Sequence, residues 1–427
     1  MRAHNAPVKY DVLVVGGFGH VGLPLGIVIA DAGLNVMLYD INASMNDTIL
    51  SGTMPFVDEG AEPLLRKVIG KTLHVTNDIA EVKNSEIIVV TIGTPLDEYL
   101  NPKLMPVLDL FKSLLPLLTD EHLLILRSTV YPGTMDQLHN FLQKNEKYCD
   151  ISYCSERIIQ GCAVRELMTL PQVIAGFTES AIKRASALFE RIGSEPIVVG
   201  MREAEFTKLF LNAWRYIQFA TANQFFVIAQ QDGADFEEIY HAMTHKYDRA
   251  KDFAKAGFAA GPCLLKDTMQ LAAFAPNNFP LGHDSMLINE GLPQFIVDQL
   301  SQERDLTQEV VGVLGMAFKG DNDDPRDSLS YKLAKILRFR GANVFCSDEF
   351  IKDPSFVLKE ELCEKCSIII LATPHSAYNN LHIPEHVHLV DIWGFFPKGP
   401  RKQKPKRIVK KMLEQIKKKE EIQSASS

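Results

Sequence analysis

Short runs of consecutive apolar residues alternate along the chain with stretches in which apolar residues recur every three or four positions. The uninterrupted runs predict buried parallel strands, and the periodic stretches predict helices that cover them. Up to about residue 200 we assign strands to residues 10–15, 36–39, 73–75, 86–92, 123–126, 151–154 and 197–199. Strands that alternate with helices in this way predict a doubly wound sheet.

The pattern changes after residue 200. Residues 204–231 contain neither Pro nor Gly and predict one long helix of roughly 40 Å at 1.5 Å per residue. More helix follows to about residue 299, and strand-like runs return at 310–318, 343–347, 367–372 and 388–392. We therefore predict an α/β fold of two Rossmann-like, doubly wound domains joined by a central helical domain. The predicted boundaries are 1–200, 201–303 and 304–400, followed by a basic, mobile tail over 401–427.

Composition and charge narrow the classes of function. The 427 residues are 46% hydrophobic and 23% charged, as in a globular protein. From Lys398 onward, 11 Lys and Arg against 3 Glu give +8, so the first 397 residues carry −16 of the net −8. An acidic body argues against nucleic-acid binding. We see no membrane-spanning apolar stretch and no signal peptide, and therefore expect a cytoplasmic protein.

Seven scattered cysteines argue against a disulfide framework. Cys363 and Cys366 form a C-x-x-C pair, but no second pair stands at zinc spacing. This segment is typical of a helix turn before a strand, so we expect no metal site.

The first predicted strand leads directly into a glycine pattern. Residues 17–22 read Gly-Phe-Gly-His-Val-Gly, and the helix predicted over 23–32 follows. The second strand ends at Asp40, about 20 residues beyond the glycines, where a carboxylate accepts the ribose hydroxyls of NAD and repels the extra phosphate of NADP. This order of elements predicts an NAD site formed by Gly17, Gly19, His20, Val21, Gly22 and Asp40.

One cysteine lies beside a lysine and a carboxylate. Residues 261–267 read Gly-Pro-Cys-Leu-Leu-Lys-Asp, and a helix is predicted over 266–275. A thiol in a nicotinamide enzyme can carry an alcohol to an acid, because it traps the aldehyde for a second oxidation and leaves a thioester that water cleaves. We expect Lys266 and the helix amides to lower the pKa of Cys263 from its ordinary value near 8.5. The alternative is a small apolar residue in a helix-start pocket.

The long predicted helix carries polar residues at helical spacing. Glu205, Lys208 and Asn212 are three and four residues apart and therefore line one face. A lysine and an asparagine presented together can hold a water or stabilise an oxyanion. The alternative interpretation is a solvated face with an ion pair.

Several segments in order resemble the UDP-glucose/GDP-mannose dehydrogenase family, from about residue 10 to residue 400. They are 14–25, 93–97, 128–134, 155–157, 205–208 with Asn212, Cys263 with Lys266 and Asp267, 318–328, 372–375 and 390–391. The resemblance implies NAD-dependent, four-electron oxidation of the C6 hydroxyl of a UDP-hexose to the uronic acid, for surface polysaccharide synthesis. It also implies that the C-terminal domain closes over the UDP-sugar and that the central helices pair two subunits in a homodimer.

The resemblance also implies roles for individual residues. Cys263 would be the nucleophile, Lys208 and Asn212 would stabilise oxyanions, and Asp267 would assist lysine and water. Thr129 and Glu156 would position water and take part in proton transfer. The remaining assignments are cofactor contacts from Thr94, Thr129 and Arg326, and substrate contacts from Glu156, Arg157, Lys208, Asn212, Lys319 and Arg249, the last resembling an arginine that reaches a neighbouring subunit's sugar.

The sugar stays open at this point. Lys266 and Asp267 resemble the UDP-glucose branch, whereas Glu156, Arg157, Gly161 and the segment 166–167 resemble the N-acetylhexosamine branch. UDP-glucose, UDP-N-acetylglucosamine and UDP-N-acetylmannosamine are therefore all candidates. Two other functions compete with this interpretation: a two-electron, 3-hydroxyacid-type NAD dehydrogenase, and a nucleotide-binding scaffold without catalysis.

Overall fold

The computed structural model describes residues 9–259 and 261–397. Its N-terminal part is an eight-stranded sheet in the order β3-β2-β1-β4-β5-β6-β7-β8. The strands are β1 Tyr10–Val15, β2 Val36–Tyr39, β3 Leu73–Thr76, β4 Ser85–Val90, β5 Leu123–Leu126, β6 Asp150–Tyr153, β7 Gln172–Gly176 and β8 Pro196–Val198. The chain order reverses between β1 and β4, and in open α/β sheets the crevice at such a point holds the ligand.

Seven helices accompany this sheet. They are α1 Gly22–Asp31, α2 Asn46–Leu50, α3 Ala61–Val68, α4 Met105–Leu114, α5 Thr134–Lys144, α6 Ala163–Thr169 and α7 Glu179–Arg191. Two buried apolar clusters, one on each face, hold them to the strands. Because the strands are covered on both faces, their residues form nearly continuous apolar runs, which is why the sequence pattern located most of them.

The sequence pattern missed β7, and this strand pairs antiparallel to β6. Only five residues long, β7 follows Pro171 directly and ends in a glycine, so its pattern resembles a loop. The predicted strand over 310–318 was also too long. It ends at Leu314 because Gly315 adopts a φ of +90°, where a side chain would meet Thr373.

The middle of the chain is helical. It comprises α8 Met201–Asp232, α9 Phe236–Thr244, α10 Leu264–Phe274 and α11 Pro280–Glu303. The long helix α8 packs against both α10 and α11. It ends where Gly233 takes a φ of +75°, a conformation that glycine reaches without steric cost.

A second parallel sheet follows, in the order β10-β9-β11-β12. Its strands are β9 Val310–Leu314, β10 Asn343–Ser347, β11 Ile368–Leu371 and β12 His388–Asp391, and its helices are α12 Leu329–Phe339 and α13 Lys359–Lys365. Phe226 of α8 and Ile296 of α11 share one buried cluster with Val311 and Ile370 of this sheet. The central helices and the C-terminal sheet therefore bury a common core.

The predicted fold class, two Rossmann-like parts joined by a helical region, is confirmed. The tail predicted over 401–427 lies outside the described residues. Within 9–259 and 261–397, no helix is both long enough and apolar enough to cross a membrane.

Candidate active site

The glycines after β1 differ in what surrounds them. A Cβ on Gly17 would lie 2.8 Å from the Cβ of Leu38, and one on Gly22 would lie 2.2 Å from the carbonyl oxygen of Gly16. A Cβ on Gly19 would meet nothing closer than 3.6 Å. Gly17 and Gly22 thus allow tight packing of loop and helix, while Gly19 leaves its outer side open to a ligand.

The start of α1 beside this loop is free to bind an anion. Val21 is its N-cap, makes no side-chain capping bond, and no acidic residue occupies the first turn. The positive end of the helix dipole therefore fits the diphosphate of a dinucleotide.

Asp40 is held at the end of β2 next to the glycine loop. One carboxylate oxygen accepts the amide N–H of Phe18 at 3.1 Å, and the other accepts that of Asn42 at 3.0 Å. The following residue, Ile41, is almost fully exposed and carries no charge. This placement fits the predicted contact with the ribose of NAD.

His20 connects the glycine loop with the C-terminal part of the chain. Its Nδ1 accepts the side-chain N–H of Gln160 at 3.0 Å, and its Nε2 lies 3.9 Å from a carboxylate oxygen of Asp324. Arg326 donates to the same carboxylate from Nε at 2.9 Å and Nη2 at 2.6 Å. Burial, with the charge of Arg326, lowers the pKa of His20 to about 4, so the ring is neutral at physiological pH.

Cys263 is the N-cap of α10, which begins two residues earlier than predicted, and its side chain is exposed. Although the residue reaches solvent, desolvation of its sulfur by the surrounding protein raises the pKa of the Cys263 thiol. The carboxylate of Asp267 acts in the same direction, while Lys208 and Lys266 oppose it. The expectation of a lowered pKa was therefore wrong: Lys266 acts in the expected direction but is outweighed.

Four of the predicted catalytic side chains lie around this thiol. The amide of Asn212 donates to one oxygen of Asp267 at 2.5 Å, and Lys266 pairs with the other at 2.8 Å. The ammonium group of Lys208 lies 3.9 Å from Glu156, whose second oxygen is buried without a hydrogen-bond partner. Two separate charge pairs thus border one thiol.

Thr94 and Thr129 tie two loops of the first sheet to the helix of Cys263. The hydroxyl of Thr94 donates to the carbonyl oxygen of Thr129 at 2.6 Å and accepts from Lys266 at 3.2 Å. The loops that follow β4 and β5 therefore meet the start of α10, where the predicted cofactor and substrate contacts adjoin.

Glu205 does not join Lys208 and Asn212 at the thiol, although all three lie on α8. Its carboxylate accepts the amide N–H groups of Gly133 at 2.7 Å and Met135 at 3.0 Å. Burial raises the pKa of Glu205 despite these bonds. Glu205 therefore supports the loop before α5 that carries Thr129, and it is not part of the reacting cluster.

The predicted substrate residues outside the cluster have different surroundings. Lys319 donates to the carbonyl oxygen of Gln160, and Arg157 donates to that of Pro171. Arg249 is exposed on a short turn at Asp248–Ala250 and makes no hydrogen bond or ion pair within the described residues. The structure thus brings Glu156, Lys208 and Asn212 to Cys263 and leaves Arg249 apart.

Sequence reasoning missed Arg215, which lies one turn beyond Asn212 on α8. Burial lowers the pKa of Lys319, and the positive charge of Arg215 acts in the same direction. Arg215 itself is half-buried and has no ion pair in the part of the chain that the structure describes. The positive charges of two neighbouring cations raise the local potential, which attracts anions. The spacing of three residues from Asn212 was the signal that could have identified it.

Models of the UDP-glucose/GDP-mannose dehydrogenase family match three stretches of this chain. The NAD binding domain matches residues 11–193, the central domain 202–290 and the UDP binding domain 312–397. Among the described residues, no group of three or more His, Cys, Asp or Glu could hold a metal ion.

Individual relatives agree with these matches. UDP-N-acetyl-D-mannosamine dehydrogenase of Pyrococcus horikoshii is 28% identical over 384 residues, covering 87% of this chain and 91% of the relative. NDP-N-acetyl-D-galactosaminuronic acid dehydrogenase of Ralstonia nicotianae is 24% identical, covering 88% and 93%. The solved structure of the UDP-D-ManNAc dehydrogenase from Pyrococcus horikoshii has a TM-score of 0.84 at 25% identity, covering 92% of this chain and 97% of that one.

Proposed function

Because the chain belongs to the UDP-glucose/GDP-mannose dehydrogenase family, we propose that it oxidises the C6 hydroxyl of a UDP-N-acetylhexosamine to the uronic acid through a thioester on Cys263. It is an NAD-dependent nucleotide-sugar dehydrogenase. One observation carries the proposal: an exposed thiol at the start of α10 is bordered by Lys208, Glu156 and Asp267. A two-electron dehydrogenase needs no thiol there, and a scaffold without catalysis needs none of the four groups.

The first oxidation uses the charged groups beside the thiol. NAD, when bound, would supply the hydride acceptor for each of the two oxidations. The ammonium group of Lys208 is buried and close to Glu156, where it can stabilise the alkoxide that forms as the hydroxyl loses its proton. The oxygen of Glu156 without a partner can accept that proton.

Cys263 then acts on the aldehyde. Its sulfur bonds to C6 and the thiol proton moves to the aldehyde oxygen, which gives a thiohemiacetal. The raised pKa of Cys263 means that the thiol is protonated at neutral pH until the substrate arrives. A base must therefore remove its proton during the addition. Once Glu156 has released the hydroxyl proton to solvent, it can take the thiol proton and pass it to the aldehyde oxygen.

The second oxidation leaves a thioester, which water cleaves. Water adds to C6, the carbon–sulfur bond breaks, and the sulfur recovers a proton. Asp267 is fixed between Lys266 and Asn212, so it holds both partners in place while the tetrahedral oxyanion forms. One alcohol, two NAD and one water thus give one carboxylate, two NADH and three protons.

The stoichiometry of NADH tests this mechanism. Purified protein with NAD and a UDP-sugar should form two NADH per sugar consumed. Cys263→Ser should complete the first oxidation and fail afterwards, while Cys346→Ala, which removes a buried thiol of β10, should keep the ratio. A ratio near one with free aldehyde released would refute the thioester.

The choice of sugar rests on the relatives. Two of the proteins similar to this chain are named for N-acetylated sugars, and Arg157, Gly161 and Glu166 match that branch of the family pattern. UDP-N-acetylmannosamine is therefore our first candidate. Comparing kcat/KM for UDP-N-acetylmannosamine, UDP-N-acetylglucosamine and UDP-glucose tests it, and a preference for UDP-glucose would contradict it.

We further propose a homodimer formed through the central helices, in the cytoplasm. Phe210, Trp214 and Ile228 of α8 are 55%, 58% and 55% exposed, and their spacing puts them on one face of the helix. An apolar face of this kind is typical of an interface. Trp214→Glu should therefore convert a dimer into a monomer in light scattering, and an unchanged mass would contradict this interface.

A further inference from the structure

The backbone six residues before Cys263 is held by a single side chain. Asn223 of α8 accepts the amide N–H of Gly257 at 2.8 Å and donates to its carbonyl oxygen at 3.0 Å. One amide thus bonds both polar groups of one backbone residue, as a neighbouring strand would. These bonds hold the two peptide units that meet at Gly257 and so fix the position and orientation of the backbone there.

A second asparagine holds the first. The amide of Asn223 also donates to the side-chain oxygen of Asn289 on α11 at 2.8 Å, and Asn289 donates to the carbonyl oxygen of Tyr216 at 3.0 Å. Both asparagine side chains are completely buried. Water cannot replace these bonds, so losing one leaves a polar group unpaired in the interior.

The opposite side of this segment faces the C-terminal part of the chain. A Cβ on Gly257 would lie 2.4 Å from the ring of Trp393, and one on Gly261 would lie 2.4 Å from the ring of Phe318. Gly261 also donates its amide N–H to the carbonyl oxygen of Asp327 at 3.4 Å. Gly257 therefore lies between the asparagine pair and the ring of Trp393, and Gly261 lies against the ring of Phe318.

We propose that Asn223 and Asn289 are positioning residues that fix Gly257 and, through it, the approach of the Cys263 thiol to C6 of the substrate. The inference rests on the proposed function. Neither asparagine belongs to the cluster around the thiol, so each acts only through the backbone. Covalent catalysis requires near-contact geometry, and a displacement of about 1 Å can cost on the order of a hundredfold in rate.

The test compares Asn223→Ala, Asn289→Ala and the double variant. Ser285→Ala is the matched control, because Ser285 is buried one turn from Asn289 on α11 and bonds only to its own helix. We expect at least a tenfold loss of kcat for Asn223→Ala, with KM for NAD within twofold of the wild type. Because a displaced thiol lets aldehyde escape, NADH formed per uronic acid should rise clearly above two as free aldehyde accumulates.

The double variant tests whether the asparagines act together. If they form one unit, its kcat should lie within threefold of the worse single variant. Fold losses that multiply would show independent effects and overturn the pairing. The positioning role would be overturned if Asn223→Ala kept kcat within twofold of the wild type. It would also be overturned if the loss of kcat only matched the loss of folded protein.

Alkylation of Cys263 by iodoacetamide in the ligand-free protein separates this proposal from the proposed function. The rate, followed by mass spectrometry at fixed pH, should rise at least threefold in Asn223→Ala and stay within 1.5-fold in Ser285→Ala. An unchanged rate would refute positioning even if turnover fell, whereas absence of turnover in the wild type would refute the proposed function alone. Asn289→Ser, which leaves both bonds from Asn223 to Gly257, replaces Asn223→Ala if that variant does not fold.

Discussion

The carboxylate of Asp348, which follows β10, offers a sharp test of how the C-terminal part, the match to the UDP binding domain, is stabilised. Burial alone would raise its pKa, but its hydrogen bonds outweigh burial and lower the pKa of Asp348 to about 2. Its side chain and that of His375 are fully buried and lie 3.0 Å apart. The remaining donors to this carboxylate are the amides of Met316 at 2.6 Å, Ala317 at 3.0 Å, Phe350 at 2.8 Å and Ile351 at 2.9 Å.

Asp348→Asn keeps the size of the side chain and removes its charge. The new amide group would point a donor at the N–H groups of Met316 and Ala317. A fall in pKa from 3.8 to about 2 corresponds to about 2 to 3 kcal/mol, at 1.36 kcal/mol per unit. Because the folded pKa is depressed, this stability is present above pH 4 and is lost as the pH falls toward 2.

Trp393 provides the assay. The chain has two tryptophans, so Trp214→Phe leaves Trp393, whose indole N–H donates to the carbonyl oxygen of Ala372 at 3.0 Å. Urea unfolding followed by its fluorescence reports this part of the chain. At pH 7 Asp348→Asn should unfold with about 2 to 3 kcal/mol less free energy than the Trp214→Phe background, and the two proteins should converge near pH 2.

The control for this experiment is Asp353→Asn, because Asp353 is only partly buried and its side chain bonds to Ser355. Its effect should be much smaller at every pH. Equal stabilities of Asp348→Asn and its background at pH 7, or a difference that persists unchanged to pH 2, would refute the reasoning. Since Met316 and Ala317 lead to Lys319, KM for the UDP-sugar should also rise.

Three further outcomes follow from the site. The kcat/KM for NAD should exceed that for NADP by roughly tenfold to a hundredfold, because the carboxylate of Asp40 repels a 2′-phosphate by about 1 to 3 kcal/mol. Asp40→Ser should remove most of that preference. Equal use of both cofactors by the wild type would contradict the prediction. The rate of alkylation of Cys263 should keep rising above pH 9, because the pKa of the thiol is raised. Asp267→Asn should move this pH–rate profile to lower pH and Lys208→Met should move it to higher pH. Shifts in the opposite sense would contradict the assigned charges. Glu205→Gln should lower kcat about tenfold, a free-energy change of about 1.4 kcal/mol, by loosening the loop of Thr129, and kinetics like those of the wild type would contradict this support.

The cofactor part of the site could be predicted because its signals are local. The strand before the glycines, the open side of Gly19 and the carboxylate of Asp40 all depend on residues within one βαβ unit. Residue spacing alone determines such a unit. By contrast, β7 pairs antiparallel with β6 through only two aligned residue pairs, and no periodic pattern encodes that direction.

Helical spacing was a less complete guide on α8. It correctly placed Glu205, Lys208 and Asn212 along one face, but one face of a 32-residue helix passes several different neighbours. Glu205 meets the amides before α5, some 70 residues earlier in the chain, whereas Asn212 meets Asp267, 55 residues later. Which neighbour each side chain reaches is a property of the packed fold, so the sequence predicted the face and not the partners.

The pKa of Cys263 illustrates the same limit with a consequence for catalysis. In the sequence Lys266 is its nearest charged neighbour, and this proximity suggested a lowered pKa. In the folded chain Lys266 is paired with Asp267 at 2.8 Å and bonded to Thr94, so its charge is largely offset. Desolvation of the thiol by the surrounding protein therefore decides that the pKa of Cys263 is raised. A thiol protonated at rest resists oxidation. In the mechanism that we propose, it becomes a nucleophile when an aldehyde lies beside it and Glu156 can take the proton, which couples the reactivity of the cysteine to the first oxidation.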